Sequence, residues 1–156
     1  MRHSVKMLVA VLAVSLLAVG VSCKKKEDTA PDRTALLTAR TWRINQVLLS
    51  NTPLTDDLLR QIAGQAGLLG EIYSSNVIFN ADGTFRSPSN TALTGSWSFN
   101  ADQTELTITS GAQSVGFRVV ALTATGLELE TLQAYTANVP PFGNVSARIT
   151  LQMVPV

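Results

Sequence analysis

Apolar and polar residues alternate along most of this chain from residue 41 onward. In Trp42-Arg43-Ile44-Asn45 the apolar positions point one way and the polar ones the other, the period-two signature of a half-buried strand. The same alternation returns over residues 77–79, 84–86, 95–99, 105–109, 115–122, 127–132 and 145–153. In the last of these, Ala147, Ile149, Leu151 and Met153 share one face. Short turn signals separate most of the strands: residues 80–83, 100–103, 110–113 and 124–126. Residues 87–94 and 134–144, the latter with Pro140-Pro141, read as longer loops.

Two stretches follow a helical period instead. Residues 31–40 predict a short opening helix, started by Pro31 or Asp32 and carrying Leu36 and Leu37. After the break at Ser50-Asn51-Thr52-Pro53, residues 55–69 predict a helix inserted between strands. Thr55 is its N-cap, Asp56 and Asp57 stand in its first turn, and Leu58, Leu59, Ile62 and Ala66 recur at helical spacing. Gly64, Gly67 and Gly70 weaken its far end, and the insert suits a lid, a plug or a cover for a sheet edge. About eight strands joined mostly by tight turns favour sequential antiparallel pairing. The expected fold is therefore all-β with one or two short helices: a small up-and-down antiparallel barrel, with an open β-sandwich as the alternative. Trp42, Phe79, Phe85, Trp97, Phe99, Phe117, Ile149 and Met153 are the residues expected inside it, and the expected contacts of any ligand held there.

Phe79-Asn-Ala-Asp-Gly-Thr84 and Phe99-Asn-Ala-Asp-Gln-Thr104 are nearly the same string. Each offers one carboxylate, one amide and one hydroxyl, too few for a calcium loop and at the wrong spacing. Hairpin turns explain them better, with Asn and Asp bonding nearby backbone and Gly83 supplying a positive φ. In the second copy Gln103 must supply the same φ at some cost, or that turn differs in type.

The first residues differ in kind. Arg2 and Lys6 precede an uncharged apolar run, MLVAVLAVSLLAVGV, and small residues follow, which are the parts of a secretory signal peptide. The run is shorter than the roughly 20 residues a membrane span needs. Cys23 is the only cysteine in the chain. The stretch Gly20-Val21-Ser22-Cys23 resembles the lipobox of bacterial lipoproteins, although Leu is usual where Gly20 stands. That resemblance implies cleavage before Cys23, a thioether lipid on its sulfur and a palmitate-type acyl chain on its new amino group. Lys26-Glu27-Asp28 also resembles a short acidic export tag. Residues 1–22 then form the signal peptide, residues 23–33 a lipidated tether, and residues 34–156 the barrel domain with its insertion near 55–69. The expected location is the envelope, on the periplasmic or surface face of the outer membrane.

Composition narrows the chemistry. From Asp32 on there is no lysine, and acids outnumber arginines, so no basic stripe invites nucleic acid. The one histidine, His3, leaves with the signal peptide, and Cys23 would be acylated. No Ser-His-Asp, Cys-His or Cys/His zinc arrangement can then be built in the mature chain, and no cofactor or metal site is expected. Glu128 and Glu130 share the water-facing side of a strand whose Leu127 and Leu129 face inward, a poor setting for a carboxylate pair of the glycosidase type. The protein is not expected to be an enzyme.

Leu36-Leu37 followed by Trp42, then residues 79–85, Gly95-Ser-Trp97-Ser-Phe99 and Leu106-Thr-Ile108 resemble, in order and spacing, the lipocalin-like domains of many bacterial lipoproteins. The resemblance covers residues 34–154. It implies a small antiparallel barrel that holds or senses a small apolar molecule. The inserted helix departs from that pattern and stands where a ligand would enter. A structural or protein-interaction module of the envelope is the alternative, with Tyr135, Pro140, Pro141 and Phe142 as its contact loop.

Overall fold

Closure of one sheet organises the molecule. The structure is a computed structural model and describes residues 32–65, 67–139 and 143–156. The expected signal peptide, Cys23 and the tether up to Pro31 lie outside the described residues, as do Ala66, Pro140, Pro141 and Phe142. The elements run α1 (Arg33–Thr38), β1 (Thr41–Leu49), β2 (Thr52–Pro53), α2 (Asp56–Gln65), α3 (Leu68–Tyr73), β3 (Val77–Phe79), β4 (Thr84–Arg86) and β5 (Thr94–Phe99). They continue with β6 (Glu105–Ser110), β7 (Gln113–Leu122), β8 (Leu127–Thr131), β9 (Tyr135–Val139), β10 (Gly143–Ala147) and β11 (Ile149–Pro155). The main sheet has 9 strands, of which β2 is a stub beside β1. The other eight pair antiparallel with their neighbours in chain order, and β11 returns to β1. This is the expected up-and-down barrel, and its closure rules out the open sandwich.

The expected residues form the expected strands because each buries one face. β8 shows Leu127, Leu129 and Thr131 inward, with Glu128 and Glu130 outward. Two bulges interrupt the period. In β1 the register shifts between Ile44 and Gln46, so inward positions change from Trp42 and Ile44 to Val47 and Leu49. In β7 it shifts between Val119 and Ala121 and leaves Val120 exposed. An extra residue in one strand flips the parity of every position after it.

Both ends of the barrel are filled. At one end α1, whose N-cap Asp32 accepts the Thr34 N–H at 3.0 Å, covers the interior. Its Leu37 carbonyl accepts the Trp42 indole N–H at 2.8 Å, and Arg33 donates to the Gln103 carbonyl at 2.6 Å. At the other end the insertion is two helices rather than the single helix expected. Gly67, at φ 50, breaks it, and Leu68 starts α3 with its N–H bound to the Gln113 side chain at 2.6 Å. Leu59, Ile62, Leu68, Leu69 and Ile72 are all buried in the same core as the barrel residues. Five such side chains contribute on the order of 10 kcal/mol, comparable to the stability of a whole domain. The insertion is therefore a plug. A closed sheet also has no edge beside β1 for it to cover.

The stretch expected to be a loop over 134–144 contains β9 and the start of β10, and the strand expected over 145–153 is divided between β10 and β11. β9 and β10 pair as a separate hairpin from Tyr135 opposite Ala147 to Val139 opposite Gly143. Where the hairpin leaves the barrel, the buried Thr131 hydroxyl donates to the Gln133 carbonyl at 2.8 Å and accepts the Ile149 N–H at 3.0 Å. That one side chain satisfies the backbone at a point where the ladder is interrupted.

Gly95 lies opposite Phe85. A Cβ there would overlap the Thr109 carbonyl and press on the Phe85 ring at 2.8 Å. Gly95→Ala is expected to destabilise the fold by about 1–3 kcal/mol or more. Gln103, at φ 57, occupies the position that Gly83 fills at φ 83 in the other turn. Gln103→Gly is expected to stabilise by about 0.5–1 kcal/mol, the left-handed strain relieved less the entropy of glycine. Urea unfolding midpoints of the two variants check both signs.

Candidate functional site

The residues expected inside the barrel are there, and they pack against one another. Trp42, Phe79, Phe85, Trp97, Phe117, Ile149 and Met153 are buried. Phe99 is partly buried against the same core. Phe79, Trp97 and Phe99 stack edge to face with centroids 5.9 and 5.5 Å apart, and Phe85 lies 6.4 Å from Phe79. The Trp97 indole donates to the Asn80 carbonyl at 3.0 Å, so both tryptophans have their polar atom satisfied by backbone. The aromatic residues gather toward the α1 end. Ile149 belongs to the other, aliphatic end, where it meets Val47, Leu151 and the plug. Between plug and wall remains a void of about 20 Å³, roughly the room of one water and lined by apolar groups that would leave it dry.

More room exists outside the plug. The chain leaves β1 through a two-residue turn in which Ser50 (φ 49) and Asn51 (φ 67) both take positive φ, the backbone of a type I′ hairpin. β2 folds back on β1, Leu49 opposite Thr52, and the Leu54 N–H donates to the Val47 carbonyl at 3.0 Å. The Thr55 carbonyl then accepts the Leu59 N–H at 2.9 Å as α2 begins. Helical spacing divides α2. Leu59 and Ile62 enter the core, while Leu58 and Gln61 look sideways toward the β9–β10 hairpin. Between the β1–β2 corner, α2 and the hairpin lies a groove of about 630 Å³. Leu49, Pro53, Leu54, Leu58 and Val145 make its apolar surface. Ser50, Thr52, Thr55, Gln61 and Asn138 add neutral polar atoms, and Asp57 adds a charge.

None of these groove residues was singled out in the sequence as a ligand contact. The signal was indirect: an insertion over a barrel end, with Leu58 on it. Asn138 gave none, because residues 134–144 read as a loop, and Val145 read as the start of the last barrel strand when it belongs to the separate hairpin.

Other candidate chemistry is absorbed by structure. Glu130 lies on the outer wall between Arg118 at 3.5 Å and Arg148 at 3.6 Å, a surface ion triad away from the groove. In the repeated turns Asp82 accepts the Thr84 hydroxyl at 2.6 Å and its N–H at 2.9 Å, and Asp102 accepts the same groups of Thr104 at 2.6 and 3.3 Å. Asn80 and Asn100 each donate to the same threonine hydroxyl. The carboxylates serve their own turns, as the hairpin reading expects. No three His, Cys, Asp or Glu side chains converge in a metal-holding cluster among the described residues.

Neither the comparison with protein-family models nor that with curated proteins finds a match for this chain.

The Thr84 hydroxyl and N–H hold the Asp82 carboxyl below the usual carboxylate range, and Thr104 does the same for Asp102. A depressed folded-state pKa means the turns stabilise fully above the ordinary carboxylate pKa of about 3.9 and lose this as pH falls further. The double variant Asp82→Asn/Asp102→Asn is therefore expected to be less stable than wild type at pH 7. The difference should close toward pH 2–3, as read by thermal melts across that range.

Proposed function

We propose that this chain is a lipoprotein of the cell envelope, anchored by lipid on Cys23, whose lipocalin-like barrel carries a small apolar molecule in the groove at its plugged end. The groove carries this reading. Its volume of about 630 Å³ falls within the ~300–1,000 Å³ of small-molecule sites, and its mix of apolar surface with a few polar groups is the usual one. The aromatic and aliphatic residues of the barrel interior pack on one another and do not line this groove. The order of the elements supports the anchor as well. α1, which follows the tether directly, covers the end of the barrel opposite the groove, so lipid at Cys23 leaves the groove unobstructed. The role is non-catalytic: the body from Asp32 on has no histidine, and its acids are spread over helix starts (Asp32, Asp56, Asp57), α3 (Glu71), turns (Asp82, Asp102) and strands (Glu105, Glu128, Glu130).

Two measurements test the parts separately. In cells fed labelled palmitate, wild type is expected to take up label and sediment with membranes, and Cys23→Ser to do neither. Membrane sedimentation of Cys23→Ser unchanged from wild type would overturn the anchor. Native mass spectrometry of protein purified from its own host is expected to show a small-molecule adduct. Leu58→Trp, which fills the groove, should lose it while keeping its melting temperature within a few degrees. An adduct retained by Leu58→Trp places the ligand elsewhere. A wild-type protein with no adduct favours an interaction module.

A further inference from the structure

The charge around the groove is one-sided. Asp57 is its charged lining residue, on a side chain 98% exposed, and Asp56 stands beside it in the first turn of α2. Arg60 is 3.7 Å from Asp57 but is itself 78% exposed and does not line the groove. The body has no lysine from Asp32 on, so no ammonium can reach in. Ala66 and residues 140–142, outside the described residues, carry no charge in sequence. The two acids also offset the positive end of the α2 dipole, which would otherwise favour an anion. A carboxylate or phosphate entering this groove would meet a like charge and find no cation among the lining residues.

We infer that the groove selects an apolar molecule with a cationic head, its body on Leu54, Leu58 and Val145 and its amine beside Asp57. This rests on the groove being the ligand site, as proposed above. An ion pair at an exposed site is weak, so the charge sets preference among apolar ligands while the hydrophobic body supplies most of the affinity.

The test compares decylamine, decanol and decanoate, which share one chain length, as competitors for bound N-phenyl-1-naphthylamine. Decylamine is expected to compete best and decanoate worst, with amine over alcohol by about two- to five-fold at low salt. Asp57→Asn, at an exposed position that leaves the fold intact, should bring amine and alcohol within two-fold of each other. Molar salt should do the same to wild type. Decanoate competing as well as decylamine, or an amine preference that survives Asp57→Asn, would overturn the inference and leave the groove standing as a site. No displaceable probe, with Leu58→Trp indistinguishable from wild type, would overturn the groove reading and this inference together.

Discussion

The pairing of β11 with β1 is the contact on which the rest depends. It joins the last strand to the first over seven positions, from Trp42 opposite Pro155 to Leu49 opposite Ile149. Without it the sheet would keep two long edges, each a row of unpaired N–H and C=O groups. With it, the apolar faces of eight strands turn onto one another and enclose a core that must be filled from the ends. Leu37 on α1 and the five buried side chains of α2 and α3 supply that filling. A small barrel filled in this way has little room inside, and the open space lies outside the plug, between α2, the β1–β2 corner and the β9–β10 hairpin.

The sequence shows the strands well because alternation is a local signal that burial enforces at each position. Trp42, Phe85, Phe117 and Met153 could be assigned inward from their neighbours alone. Positions set by distant contacts could not. The bulge near Asn45 depends on how β1 meets β11, more than a hundred residues away, and nothing in Ile44-Asn45-Gln46 announces it. Leu93 sits in what reads as a polar loop, yet it is fully buried, held by the Ser87 N–H bonding to its carbonyl at 3.0 Å and by its own N–H bonding to the Asn90 carbonyl at 3.0 Å. The split of the insertion at Gly67 follows from a tertiary latch, the Gln113 side chain, although the glycines gave a warning. The groove was the least legible part. Its walls come from a turn, a helix flank and a hairpin, each of which is unremarkable alone.

The two repeated turns show how one motif tolerates different residues. Asn, Asp and Thr build the same side-chain bonds in both copies, and Gln103 is carried into the left-handed region by that network and by Arg33 bonding its carbonyl. The turns therefore hold the α1 end of the barrel rigid. The groove at the other end is walled by β2 and the β9–β10 hairpin, elements outside the closed ring. Only Leu49 belongs to both the groove and the closed ring, so the groove side chains on β2, α2 and the hairpin can change without disturbing closure.

A ligand held in the mouth groove would leave the barrel interior as it is. Methyl-resolved NMR during titration with decylamine tests this directly. Shifts confined to Leu54, Leu58 and Val145, with Leu106, Ile108 and Leu129 of the interior unmoved, are the predicted result. Shifts centred on those interior methyls, with the groove methyls silent, would contradict it.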